Sequence, residues 1–90
     1  MKVGFSPEVK KELEKLKKKD FKLNRKIQKQ LQLFTINPTH PSLRLHKLSG
    51  NLKGFQSISI TKGFRMIYLV KQDDVAYFVD IGTHDEVYKR

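Results

Sequence analysis

The sequence predicts an α+β fold in which two N-terminal antiparallel helices pack on one face of a four-stranded antiparallel sheet, with a short turn or helix at the C-terminus. Three observations carry that prediction. Apolar residues recur at helical spacing as far as residue 35, the period changes to two from Leu43 onward, and a proline-marked connection separates the two regimes.

Ser6-Pro7-Glu8 opens the first helix. Ser6 can cap the free N–H groups, Pro7 suits the first helical position, and Glu8 lies at the positive end of the helix dipole. Val9, Leu13 and Leu16 then form a narrow apolar stripe on an otherwise charged helix, and Lys17-Lys18-Lys19-Asp20 marks its end. A second helix runs from about Phe21 to Thr35, with Leu23, Ile27, Leu31 and Phe34 on one face. Asn37-Pro38 and His40-Pro41 stop it, because a residue before proline disfavours the helical region. Met1–Phe5 is either a short edge strand or a lead-in. Two helices with one apolar stripe each need a flat surface to cover.

That surface follows in sequence. LRLHKL (43–48) sets Leu43 and Leu45 against Arg44 and His46, and Ser49-Gly50-Asn51 turns the chain. FQSISIT (55–61) sets Ile58 and Ile60 against Ser57 and Ser59, and Lys62-Gly63 is a connection of hairpin length. FRMIYLV (64–70) is apolar on nearly every residue, as a central strand should be, with Arg65 interrupting it. Gln72-Asp73-Asp74 turns again, and VAYFVDIG (75–82) is the last strand.

Ninety residues allow one domain, 1–90, with a small core. No apolar run approaches the ~20 residues of a membrane span. MKVGFSPEVKKE lacks the apolar stretch of a signal peptide, and cysteine is absent, which excludes disulfides and thiol catalysis. These features fit a cytoplasmic protein. The net charge is +10 and the pI about 10.0. A field of that sign draws polyanions, nucleic acid above all, although lysine-rich helices are also simply soluble. Residues 1–30 hold eleven basic and four acidic side chains, so the front of the chain is the more strongly basic part.

With one face of the sheet covered by helices, the polar residues of the other face are the candidates for chemistry. Arg65 in a central strand is either salt-bridged, with Asp80 on the neighbouring strand as the natural partner, or presented to bind phosphate. His46 and Lys47 are adjacent on a strand and should point to opposite faces. For Lys47, and for Lys53 beside Gly54, a solvated surface charge is the plainer reading, and His40 reads as a turn residue. His84 and Tyr88 share a face if Thr83–Lys89 makes a helical turn; otherwise Val87 and Tyr88 cover the sheet edge. Histidine titrates in the range for proton transfer, and tyrosine can stack on a base or donate a hydrogen bond. No phosphate-binding glycine loop occurs, and three scattered histidines without cysteine offer no zinc spacing. No metal or cofactor is therefore expected; phosphoryl chemistry here would use Lys and Arg to neutralise charge.

Taken in order, NPTHPSLRLHKLSGNLKGFQSISITKGFRMIYLV and then IGTHDEVY resemble the RelE/ParE superfamily of type II toxin–antitoxin toxins, and within it the YafQ-type branch, over residues 5–90. The resemblance implies a RelE-like fold and a metal-free, ribosome-dependent mRNA endonuclease. In such an enzyme the 2′-hydroxyl attacks the adjacent phosphate, leaving a 2′,3′-cyclic phosphate. It assigns catalytic positions to His84 of GTH, Tyr88 four residues later, His46 of HKLSG and Arg65 of FRMIY. It also places Arg44, Lys47 and Lys53 in the basic segment that holds RNA phosphates. YafQ-type proteins carry a further histidine and an aspartate where this chain has Ser59 and Gly63, which leaves His84 and His46 to share the proton transfers with Arg65 beside them. The implied partners are mRNA in the ribosomal A site, the ribosome and a small antitoxin in a heteromeric complex. Two alternatives stay open: a ParE-like DNA gyrase inhibitor without nuclease activity, and an inactive RNA-binding relative.

Overall fold

A computed structural model describes residues 1–88 of the chain. The elements run β1 (Lys2–Phe5), α1 (Pro7–Lys19), α2 (Phe21–Ile36), β2 (His46–Lys47), β3 (Gln56–Thr61), β4 (Phe64–Lys71), β5 (Val75–Thr83) and α3 (His84–Tyr88), with 3-10 turns at Pro41–Leu43, Gly50–Leu52 and Gln72–Asp74. The sheet order is β1-β5-β4-β3-β2.

The sheet therefore has five strands rather than four, and it is mixed rather than purely antiparallel. β1 runs parallel to β5, with Phe5 opposite Phe78, while the other pairs are antiparallel. The extra strand is Lys2–Phe5. Its partner lies more than seventy positions away along the chain, so no local turn announces the pairing. Phe5 stacks on Phe78 at 5.8 Å, and the Tyr77 ring lies 3.3 Å from where a side chain at Gly4 would begin. Contacts across strands, not local alternation, thus fix β1.

Helix ends follow the capping residues. Ser6 Oγ accepts the Val9 N–H at 3.1 Å. Asp20 serves both helices: its N–H donates to Leu16 O at 2.9 Å, closing α1, and its Oδ1 accepts the Leu23 N–H at 3.1 Å, opening α2. The first predicted strand is shorter than its alternation suggests. Leu43 is buried in the core at the end of a 3-10 turn, and Arg44 takes the left-handed conformation (φ 45°, ψ 52°), leaving only His46–Lys47 in the ladder.

Val9, Ile27, Leu31 and Phe34 bury their stripes against Ile58, Ile60, Met66, Tyr68, Ala76 and Phe78. Each such side chain contributes roughly 1.5–3 kcal/mol by leaving water. Phe34 meets the Tyr68 and Phe78 rings edge-on at 5.1 and 5.6 Å. Burial pushes the Tyr68 phenol up to about 12 from 10.0. A register shift after Ile67 lets Phe78 and Ile81, three residues apart, both face the helices. Gln30 is buried and gives its amide to Ser59 O at 3.0 Å and Ser42 O at 3.4 Å, tying α2 to β3 and the first 3-10 turn. Among the described residues, no helix is long and apolar enough to cross a membrane.

Candidate active site

The ladder register decides which side chains share the face away from the helices. His46 pairs with Ser57, Ser57 with Ile67, and Ile67 with Asp80; one step along, Ser59 pairs with Arg65 and Arg65 with Gly82. Lys47 pairs with Gln56, whose partner Tyr68 lies in the helix-side core, so Lys47 projects to the other face from His46.

α3 folds back over this face of β4 and β5. Gly82 makes room for it: a side chain there would begin 3.0 Å from Glu86 Oε1 and 3.3 Å from Glu86 Cβ. The turn is held by a reciprocal cap, in which Glu86 Oε1 accepts the Thr83 N–H at 2.8 Å and Thr83 Oγ1 accepts the Glu86 N–H at 3.3 Å. The His84 N–H donates to Gly63 O at 3.3 Å, fastening α3 to the β3–β4 hairpin. Val87 and Ile67 are buried outside the main core, on the face that α3 covers. The predicted C-terminal helical turn is present as His84–Tyr88, and Lys89 lies outside the described residues. His84 and Tyr88 face the same way, their rings 4.2 Å apart and edge-on.

Arg44, His46, Arg65, His84 and Tyr88 line one cleft of about 580 Å³, whose apolar part comes from Leu45, Leu48 and Leu52. Arg65 is the centre of its hydrogen bonding. Among the described residues its guanidinium bonds neutral oxygens: Nε and Nη2 donate to Ser57 Oγ at 3.2 and 2.9 Å, and Nη2 donates to Arg44 O at 2.9 Å. These oxygens form a polar cradle that fixes the guanidinium in place. Arg44's left-handed backbone turns its carbonyl to meet Arg65, a conformation that costs a non-glycine residue about 1 kcal/mol and concentrates at functional sites.

Ser57 is wholly buried, and its hydroxyl also lies 2.7 Å from Tyr88 Oη. His84 is 67% exposed, with Nδ1 3.8 Å from the exposed Asp85 carboxylate, a weak pairing in water. Lys47 and Lys53 lie outside the cleft lining. Ser59 gives its hydroxyl to Thr61 O at 2.8 Å, and open space surrounds the place where a side chain at Gly63 would begin. His40 caps the first 3-10 turn, its Nδ1 accepting the Ser42 N–H at 3.1 Å. Among the described residues, no three His, Asp or Glu side chains converge as a metal site. Sequence reasoning missed Ser57, Gly82 and the Thr83–Glu86 cap. Only the last has a readable signal, the Thr-x-x-Glu spacing.

Comparisons with known proteins agree with this architecture. Residues 1–89 match the family model described as the YafQ bacterial toxin of type II toxin–antitoxin systems. A Methanocaldococcus jannaschii chain named for the toxin RelE4 is 32% identical over 89 residues, covering 98% of this chain and 90% of that one. Among solved structures, YafQ from E. coli strain BL21(DE3) matches with a TM-score of 0.74 at 21% identity, over 96% of each chain. The heterotetrameric YoeB–YefM toxin–antitoxin complex from Staphylococcus aureus contains a chain matching at TM-score 0.77 and 25% identity, over 93% of this chain and 97% of that one. The match to the family model spans nearly the whole chain, and the protein belongs to the YafQ family of type II toxin–antitoxin toxins, within the RelE superfamily.

Proposed function

We propose that this toxin is a ribosome-dependent endoribonuclease that cuts mRNA without a metal. The observation that carries the proposal is the convergence of His46, Arg65, His84 and Tyr88, from two strands and helix α3, on one cleft. In the reaction the 2′-hydroxyl of a nucleotide loses its proton to one histidine, and its oxygen attacks the adjacent phosphorus. The bond to the 5′ oxygen breaks, and the departing oxygen takes a proton from the other histidine. The products are a 2′,3′-cyclic phosphate and a 5′-hydroxyl, and no water is consumed.

Each group has a distinct role. His46 and His84 share the acid and base steps, each exposed enough to exchange protons with solvent between turnovers. Arg65 faces the charge that develops on phosphorus, already oriented by Ser57 and the Arg44 carbonyl. Arg44 adds positive charge to the wall, while Lys47 and Lys53, outside the cleft, meet RNA beyond the scissile phosphate. Tyr88 contacts the substrate beside His84, by stacking on a base or by hydrogen bonding. Membership of a type II toxin family supports an antitoxin partner, and we place its contact over this basic cleft, where it would exclude mRNA.

Primer extension on cellular mRNA after brief induction, without antitoxin, tests the proposal. Cuts phased with codons are expected. A DNA-damage response without mRNA cuts would overturn it in favour of gyrase inhibition.

A further inference from the structure

We infer that Ser57 is a positioning residue of this site, whose hydroxyl orients Arg65 and forces Tyr88 to enter the cleft as a hydrogen-bond donor. The inference rests on the nuclease function proposed above and extends it to a buried residue of β3, the strand between those of His46 and Arg65.

The argument is a proton count. A serine hydroxyl has one proton to donate and two sites at which to accept. Arginine only donates, and its Nε and Nη2 groups both reach Ser57 Oγ, at 3.2 and 2.9 Å. Both acceptor sites are then occupied. The Tyr88 oxygen lies 2.7 Å away on the same Oγ, so the one remaining polarity has Ser57 donating and Tyr88 accepting. Tyr88 has no other hydrogen-bond partner among the described residues, and its own O–H turns away from Ser57 toward the cleft it lines. Arg65 is oriented by the same count. Nε and Nη2 are committed to Ser57 and the Arg44 carbonyl, and among the described residues the two N–H groups of Nη1 have no hydrogen-bond partner and can meet a ligand.

Arg65 and Tyr88 therefore turn N–H and O–H donors toward the cleft, beside the two histidines that exchange protons. Those donors suit the non-bridging or departing oxygens of a phosphodiester. Burial matters here: with Ser57 wholly shielded, water cannot substitute for the hydroxyl and reset the polarity.

Single-turnover cleavage of ribosome-bound mRNA by purified Ser57→Ala, Tyr88→Phe and the double variant tests the inference, with melting temperature and ribosome affinity measured alongside. Ser57→Ala should slow the cleavage step by about 10- to 100-fold while ribosome affinity holds within about threefold, a rate effect that simple loss of packing would not confine to this step. The double variant should be at most about threefold slower than the slower single variant, because the Tyr88 donor is oriented through Ser57 and the two changes act on one hydrogen-bonded unit. Ser57→Cys, close in shape but a weak hydrogen bonder, should show the same loss and decides the matter if the alanine variant does not fold. Wild-type rate in either folded Ser57 variant, or single effects that multiply, would overturn the positioning role while the nuclease function stands. Failure of the unaltered toxin to cut mRNA would instead overturn the nuclease function, and this role with it.

Discussion

The two faces of the sheet are made from the same strands, residue by alternate residue, yet they are stabilised by different means. On the helix side, Ile58, Ile60, Met66, Tyr68 and Phe78 close an apolar core around Phe34. On the cleft side, Ser57 and Arg65 occupy the intervening positions, and order there comes from hydrogen bonds to fixed oxygens. The difference shows how a domain of ninety residues combines stability with a cationic site. The hydrophobic face supplies the folding free energy, so the other face can keep a guanidinium held by neutral oxygens and a left-handed arginine backbone. Changes on the first face should therefore read out as stability, and changes on the second as activity.

The sharpest way to break that contrast is Phe78→Ala. Phe78 is fully buried among the Phe5, Phe34 and Tyr68 rings, and its loss should cost about 3–5 kcal/mol in a urea melt. A smaller effect on the same face is alkaline. The Tyr68 pKa is raised from 10.0 to about 12, so the folded state holds the phenolic proton more tightly than the unfolded chain. The stability this provides is complete below pH 10 and is lost as the pH rises toward 12. Thermal melts of the wild type should fall across that window, and Tyr68→Phe should lack this component.

Gly82→Ala sits at the boundary of the two faces. Its methyl group would press on Glu86 and loosen the cap of α3, costing about 1 kcal/mol. Because His84 rides on that cap, mRNA cleavage should fall further than the melting temperature suggests. The smallest change should be Arg44→Gly, where relief of the left-handed backbone raises stability by about 0.5–1 kcal/mol while cleavage weakens through the lost charge. Equilibrium unfolding and a cleavage assay on the same preparation would show the opposite signs.

Much of the helix side was legible in the sequence because its signals are local. Ser6-Pro7, Asp20 and the Leu23–Ile27–Leu31–Phe34 stripe each act within a few residues, and each does in the structure what its spacing predicts. β1 was legible only as one of two options, an edge strand or a lead-in, because Lys2–Phe5 becomes a strand by pairing with β5, more than seventy positions away. On the cleft side, the His84–Tyr88 spacing and the lone Arg65 were visible. Ser57 was not: in an alternating strand it looks like a solvent-facing residue, and only Tyr88, thirty-one positions later, turns it into a buried hydrogen-bonding centre. Arg44 looked like one more strand residue until its backbone was seen to turn left-handed.

The central claim is that the cleft face does chemistry the fold does not depend on. The most direct measurement is single-turnover cleavage of ribosome-bound mRNA by His84→Ala, with its melting temperature taken on the same sample. His84 is two-thirds exposed and contributes little packing. The account predicts a rate lowered by about 10²–10⁴-fold with the melting temperature essentially unchanged. Cleavage at the wild-type rate by the folded variant would contradict it.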